Sequence, residues 1–128
     1  MPQNTHQIGD SGEDLAVEFL RNNGFEIVAR NFRKRFGEVD IIARSGEVLV
    51  FCEVKRSRFS GNSYPELRVD HKKQVKLART AQAFLTEYSE PFEEIRFDII
   101  TVENHQGRSA INHIENAFWP PDGWDEIA

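Results

Sequence analysis

The order of predicted helices and strands places this 128-residue chain in the α/β or α+β class. Apolar residues recur at helical spacing in residues 11–22 and 66–87, and five short runs rich in β-branched and aromatic residues lie between and after these segments. Two of those runs flank a Gly-containing turn, which is typical of an antiparallel hairpin. The order predicts a sheet with helices on its faces, and the absence of a Gly-rich phosphate loop argues against a purely parallel doubly wound fold.

The first helix is predicted from the residues at its ends. Ser11 is a suitable N-cap with Asp14 three residues later, and residues 22–24, Asn-Asn-Gly, are a typical C-terminal stop. Residues 1–8 are polar and are expected to be flexible. Glu13 lies in the first turn beside the apolar face, and on its own it is explained by the favourable interaction of an acid with the helix dipole.

The next three elements are a strand over residues 25–32 and a hairpin over residues 37–56. A two-residue type II′ loop at Gly46-Glu47 is the interpretation we favour, because this turn prefers Gly first. It would set Asp40 opposite Glu53 and Glu38 opposite Lys55. A three-residue loop over residues 45–47 would instead set Asp40 against Cys52 and place the two carboxylates on opposite faces.

Three charged residues, Asp40, Glu53 and Lys55, lie inside these otherwise apolar strands. Charged side chains are rarely buried unless they are paired or bind a metal. Two carboxylates on one face could hold Mg²⁺ or Mn²⁺ as a Lewis acid for a phosphoryl oxygen, and a nearby lysine could stabilise developing negative charge. This arrangement suits a phosphodiesterase. A salt-bridge network in an ordinary hairpin is an equally open alternative.

A basic surface is predicted around the hairpin and the second helix. The formal net charge is −5, but residues 30–79 hold 13 of the 16 Lys and Arg and 6 of the 21 Asp and Glu. Lys72, Lys76 and Arg79 recur along one helical stripe, which suits a phosphate backbone and equally suits a solvated helix face. The side chains predicted to contact DNA are Arg33, Lys34, Arg35, Arg56, Arg58, Lys72, Lys73, Gln74, Lys76 and Arg79.

The second half of the chain completes the predicted order of elements. Pro65 fits a helix start near residue 66, and strands are predicted over residues 95–102 and 109–118. A structural hydrogen-bonding role is expected for Asp98, because it lies in the middle of a strand. The tail, residues 119–128, is expected to pack its two Trp side chains on the body of the domain.

Composition predicts a cytoplasmic protein without membrane contact. The longest purely apolar run, residues 48–52, is too short to span a bilayer, and the N-terminus lacks the basic and apolar regions of a signal peptide. The one cysteine, Cys52, excludes an internal disulfide, and its position within a strand predicts a buried, inert thiol.

Asp40 followed by Glu53-x-Lys55 resembles the core of the PD-(D/E)xK nuclease superfamily. A fuller set of residues is similar to the YraN family of small bacterial proteins, and this resemblance covers residues 9–118. The matching motifs are Gly12-Glu13-x-x-Ala16, Gly24-Phe25, Arg30-Asn31-Phe32-Arg33, Gly37-Glu38-Val39-Asp40-Ile41-Ile42-Ala43, Phe51-Cys52-Glu53-Val54-Lys55, Arg96-Phe97-Asp98 and a closing strand over residues 111–118.

The length predicts one domain, residues 1–128, and the resemblance implies that it has a restriction-endonuclease-like α/β fold. It would have a mixed central sheet of about five strands, an N-terminal helix, and a second helix between strands three and four. It also implies that Asp40 and Glu53 are metal-binding acids, that Lys55 is the catalytic lysine, and that Glu13 is the helix-borne acid of the Holliday-junction resolvase branch.

We therefore predict a DNA endonuclease that depends on Mg²⁺ or Mn²⁺. The resemblance to the resolvase branch suggests branched DNA, such as a Holliday junction, as its substrate. The alternative is a non-catalytic module of the same fold that recognises DNA or recruits a recombination or repair protein. Symmetric cutting of both strands of a junction would require a two-fold homodimer. No residue in the sequence demonstrates one.

Overall fold

The computed structural model describes residues 11–58 and 69–120. The expected flexible N-terminus, residues 1–8, lies outside these ranges. The elements are α1 (Ser11–Asn22), β1 (Glu26–Lys34), β2 (Gly37–Ser45), β3 (Val48–Arg58), α2 (His71–Glu87), β4 (Glu94–His105) and β5 (Arg108–Ile114). This order confirms the predicted α/β class. Neither helix in the described ranges has the length and apolar character that crossing a membrane requires.

The five strands form one mixed sheet in the order β1-β2-β3-β4-β5. Strands β3 and β4 are parallel and α2 makes the crossover between them, whereas the other neighbours are antiparallel. Helix α1 packs Leu20 on one face of the sheet with Cys52 and Ile100, and α2 packs Leu77 on the other face with Phe51. Cys52 is fully buried, as predicted, and burial raises the pKa of its thiol.

Helix α2 begins at His71, later than the predicted start near residue 66. Asp70 is the N-cap: its backbone is extended and its carboxylate accepts the backbone N–H of Lys73 at 2.9 Å. Asp70 therefore marks the N-terminus of α2, and the predicted start near residue 66 is wrong. Pro65 and residues 66–68 lie outside the described residues.

Strand β5 ends at Ile114, so the predicted continuation of the strand to residue 118 is wrong. Asn116 adopts a left-handed backbone conformation with φ +53°, which an extended strand does not allow. Its backbone N–H donates to the side chain of Asp98 on β4 instead of to a backbone carbonyl of that strand. Trp119 beyond it meets Phe97 edge to face yet remains 55% exposed, and the predicted packing of Trp124 lies outside the described residues.

Asp98 has the structural hydrogen-bonding role that its mid-strand position predicted. It is fully buried on β4, where Arg96 donates two hydrogen bonds of 3.0 Å and His113 Nε2 donates one of 2.6 Å. Burial alone would raise the pKa of Asp98, but the hydrogen bonds from His113 and Arg96 outweigh burial and hold this pKa below its ordinary value. Asp98 therefore ties β5 and the turn after it to β4 and takes no part in the site described next.

Candidate functional site

The site is built on the β2–β3 hairpin, whose register agrees with the favoured two-residue loop. Ser45 pairs with Val48, and the ladder continues to Ile41 and Cys52. Within the described strands the ladder ends there, so the expected backbone pair of Asp40 with Glu53 does not form. The carboxylate Oδ2 of Asp40 instead accepts the backbone N–H of Val54 at 2.8 Å.

A local change in strand alternation explains the position of Asp40. Val39 and Ile42 both pack on the α2 side of the sheet, whereas Ile41 packs on the α1 side. Strict alternation would put Val39 and Ile42 on opposite faces, so the backbone of β2 departs from regular pleating around Asp40. On the neighbouring strand, Asn31 has φ +53° at the same level of the sheet. This irregularity lets the Asp40 side chain bond to β3.

Asp40 and Glu53 share a cavity of about 240 Å³ between the hairpin and α2. The acids come from adjacent strands, and the opposite wall comes from one face of the helix. The lining residues are Gly37, Glu38, Asp40, Glu53, Lys73, Lys76 and Leu77. The cavity therefore joins acidic oxygens and lysine ammonium groups in one partly open space.

The electrostatic state of Asp40 reflects this crowding of acids. Burial raises the pKa of Asp40 to about 7, with further increases from the nearby carboxylates of Glu53, Glu38 and Glu13. The hydrogen bond from Val54 opposes the increase because it favours the carboxylate form. A partly buried acid whose pKa is raised beside a second acid is typical of a functional site.

Lys73 occupies the acidic side of the cavity. Its Nζ lies 2.8 Å from Glu53 Oε2, and the Lys73 side chain is 53% exposed whereas that of Glu53 is 9% exposed. The hydrogen bond to Glu53 raises the pKa of Lys73. The sequence predicted Lys73 only as a DNA contact. It did not predict that Lys73 forms an ion pair with Glu53, a predicted metal ligand.

Glu13 lies on α1 and is oriented by two side chains of β1. Arg30 Nη2 and Asn31 Nδ2 each donate to Glu13 Oε1 at 3.1 Å, and Arg30 also bonds Asp14. The charge of Glu13 contributes to the raised pKa of Asp40, although Glu13 does not line the cavity. These contacts give Glu13 a defined position near the acids, beyond an interaction with the helix dipole.

Lys55 follows Glu53 by two residues on β3, so strand alternation places the two side chains on the same face. Lys55 is half-buried. Among the described residues that line the cavity, the lysines are Lys73 and Lys76, and Lys55 is outside the lining. The structure thus brings Asp40 and Glu53 together in the cavity. Lys55 lies next to Glu53 on the same face of β3, outside the cavity lining.

Several of the predicted DNA contacts already have partners within the protein. Arg33 pairs with Glu38 at 3.2 Å and Lys34 pairs with Glu87 at 3.2 Å. The Gln74 amide donates to the Val69 carbonyl at 2.7 Å, where it supports the start of α2.

The remaining predicted contacts differ in their surroundings. Arg79 lies over the Phe36 ring at 5.1 Å, and the aliphatic part of Arg56 packs against Gly12. Arg35 and Lys72 are exposed. The side chain of Arg58 lies outside the described part of the structure.

The acids fit a hard divalent cation by number and type. Within residues 11–58 and 69–120, no group of three or more His, Cys, Asp or Glu residues is arranged to hold a metal ion. Mg²⁺, however, is commonly bound by one or two carboxylates with water and phosphate completing its shell. Asp40 and Glu53 supply two such carboxylates, and the Lys73 ammonium shows that a cation fits against Glu53.

Sequence comparison identifies the family. The model of the family described as "Uncharacterised protein family UPF0102" matches residues 12–102. The chain belongs to the UPF0102 family. A UPF0102 protein of Persephonella marina is 47% identical over 110 residues, covering 86% of this chain and 91% of the relative. A UPF0102 protein of Caldicellulosiruptor saccharolyticus is 42% identical over 117 residues, covering 90% and 99%.

A third UPF0102 protein, from Nocardia farcinica, is 42% identical over 112 residues, covering 87% of this chain and 88% of the relative. The family membership confirms the small bacterial family that the sequence motifs suggested. The UPF0102 match begins in α1 and extends through most of β4, so it includes every residue of the cavity lining.

Proposed function

We propose that this UPF0102 protein is a divalent-metal-dependent DNA endonuclease of the PD-(D/E)xK type. The observation that carries the proposal is the shared cavity, in which Asp40 and Glu53 face Lys73 and Lys76. Acids that can hold a cation and lysines that can hold a phosphate are the two requirements for hydrolysing a phosphodiester. The resemblance of Asp40, Glu53 and Lys55 to the superfamily core supports the same reaction.

Each residue has a distinct role in the proposed reaction. Asp40 and Glu53 hold the cation, which when bound would polarise the phosphoryl group and lower the pKa of a water molecule. Lys76 on the cavity wall binds a non-bridging phosphate oxygen, and Lys55 stabilises the charge that develops as water adds to phosphorus and the P–O ester bond breaks. Glu13, held by Arg30 and Asn31, adds negative charge on the Asp40 side.

The proposed substrate is branched DNA, by resemblance to the Holliday-junction resolvase branch. The cavity is partly open and Lys76 lies on its wall, while Arg35 in the turn after β1 and Lys72 in the first turn of α2 are exposed. Side chains of this type bind phosphates along the backbone without reading sequence. Recognition would therefore depend on the shape of the DNA.

A second candidate function is a DNA-binding module that does not cut. The ion pair between Lys73 and Glu53 favours it, because a neutralised acid has less need of a metal. Such a module would bind DNA in a salt-sensitive manner. Its binding would be indifferent to Mg²⁺ and to Lys55→Ala.

Cleavage assays distinguish the two functions. Labelled four-way-junction, flap, single-stranded and linear duplex DNA are incubated with the protein and Mg²⁺, Mn²⁺ or EDTA. We expect metal-dependent cutting, with the junction preferred, and its loss in Asp40→Asn and Lys55→Ala. Glu47→Gln is the matched control, because it removes a carboxylate at the exposed turn of the same hairpin. No cutting of any substrate, together with no metal binding, would exclude the endonuclease and favour the binding module.

A further inference from the structure

Lys73 and a divalent cation would compete for the same oxygen atom. The Lys73 ammonium lies 2.8 Å from Glu53 Oε2, so it already occupies one of the two lone-pair positions of that oxygen. A cation bound to that oxygen would approach within about 2.1 Å of it, and the ammonium would then face a double positive charge at very short range. Repulsion between the two cations therefore makes them compete for Glu53 Oε2.

The Lys73 side chain can leave Glu53 without any movement of helix α2. Its backbone N–H is fixed by the N-cap carboxylate of Asp70, and Leu77 one turn later is buried in the core. The side chain itself is 53% exposed, so rotation about its own bonds brings Nζ into solvent. Lys76 lies one turn away on the wall of the same cavity, and a rotated Lys73 would join it at the opening.

We propose that Lys73 is a built-in counter-ion of Glu53, which a divalent cation displaces toward the cavity opening, where it adds to the positive charge offered to a DNA phosphate. This inference rests on the proposed function and specifies how the site is regulated. Because coupling between two ligands is reciprocal, metal binding would raise affinity for DNA, and DNA would raise affinity for metal. Lys73 is thus a positioning residue that links the two ligands.

Lysine acylation of the native protein tests the displacement directly. The protein is treated with limiting amine-reactive ester, with and without Mg²⁺, and labelling at each lysine is quantified by mass spectrometry while calorimetry establishes that Mg²⁺ binds. We expect labelling of Lys73 to rise several-fold with Mg²⁺ and labelling of Lys76 to stay constant. Unchanged labelling of Lys73 in protein that binds Mg²⁺ would overturn the inference and leave the proposed function intact.

A matched pair of variants tests the competition. Lys73→Met keeps most of the length of the side chain and removes its charge, and Lys76→Met does the same at a lysine that makes no ion pair among the described residues. We expect Lys73→Met to bind Mn²⁺ roughly tenfold more tightly, as the loss of one charge-assisted hydrogen bond to Glu53 predicts, and Lys76→Met to change affinity much less. Equal effects, or weaker binding by Lys73→Met, would show that Lys73 does not compete. Failure of all three proteins to bind Mn²⁺ or Mg²⁺ would instead count against the proposed function as well.

Discussion

The carboxylate of Asp40 accepts the backbone N–H of Val54 on the neighbouring strand at 2.8 Å. One side chain therefore takes the place of a backbone ladder bond, at the point where β2 departs from regular pleating. Since Asp40 also lines the cavity, the irregular strand and the candidate metal ligand are one feature. Variants at Asp40 consequently report on both stability and function.

Asp40→Asn should stabilise the metal-free protein at pH 8. The folded-state pKa of Asp40 is about 7 against an ordinary value of 3.8, so the folded state binds more protons between these values and its stability falls as pH rises through 7. Removing this partly buried charge should recover on the order of 2–4 kcal/mol of unfolding free energy at pH 8 and little at pH 4. The Asn oxygen can still accept the Val54 N–H. Urea unfolding at both pH values measures the change.

Glu47→Gln is the control for that experiment, since Glu47 lies at the exposed turn of the same hairpin. It should not alter the pH dependence. A loss of stability in Asp40→Asn at pH 8 would support the interpretation of Asp40 as part of a structural salt-bridge network instead.

Addition of Mg²⁺ should raise the melting temperature of the native protein, and EDTA should reverse the rise. A ligand that binds only the folded state at about 100 times its dissociation constant adds about 2.7 kcal/mol of stability. Glu53→Gln keeps the shape of the side chain and removes one of the two charges, so the response to Mg²⁺ should be largely lost. Thermal scans at several Mg²⁺ concentrations test this, and an equal response in both proteins would place the cation elsewhere.

Gly37→Ala should destabilise the fold and disturb the cavity. An added Cβ would lie 2.6 Å from Thr80 Oγ1 and 3.1 Å from the Lys76 carbonyl, so α2 would have to move away from β2. Overpacking of this kind costs about 1–3 kcal/mol. Thr80→Ala removes the nearer atom, so the double variant should lose less than the sum of the two single variants. A denaturant double-mutant cycle measures this coupling, and strict additivity would show that the contact is unimportant.

Asp98→Asn should be strongly destabilising although Asp98 does not line the cavity. The amide would present donors to Arg96 and His113, which now donate to a fully buried carboxylate. Breaking a buried ion pair by changing one partner costs about 3–5 kcal/mol. Glu115→Gln is the matched control, because Glu115 is an exposed partner of the same Arg96 at 3.6 Å and should cost about 1 kcal/mol or less. Equal losses would contradict this ranking.

Local sequence signals predicted the hairpin and its acids. Gly46-Glu47 set the turn, and the turn set the register from Ser45–Val48 to Ile41–Cys52. Asp40 and Glu53 lie just beyond that ladder and share the cavity. Charges within apolar strands then indicated a candidate site there. The turn and the register were predicted correctly because they depend on residues that are close in the chain.

Long-range contacts account for what sequence could not predict. Lys72, Lys73 and Lys76 are chemically equivalent in the sequence, and only the rotation of the docked helix decides that Lys73 meets Glu53. The end of β5 likewise depends on Asp98. This residue lies on β4, and its side chain accepts the backbone N–H of Asn116. Contacts between residues that are far apart in the chain produce no recognisable pattern in the sequence around either residue.

The parallel pairing of β3 with β4 also bears on how the protein folds. Val48 pairs with Glu94, and this pairing requires closure of the long segment that carries α2. Hairpins form from local contacts, whereas non-local parallel pairs form slowly. During folding, the β2–β3 acids would therefore meet one another before Lys73 arrives to neutralise them. Docking of α2 would then complete the hydrophobic core and bring Lys73 to Glu53. The cavity with its ion pair would therefore form only in this last step.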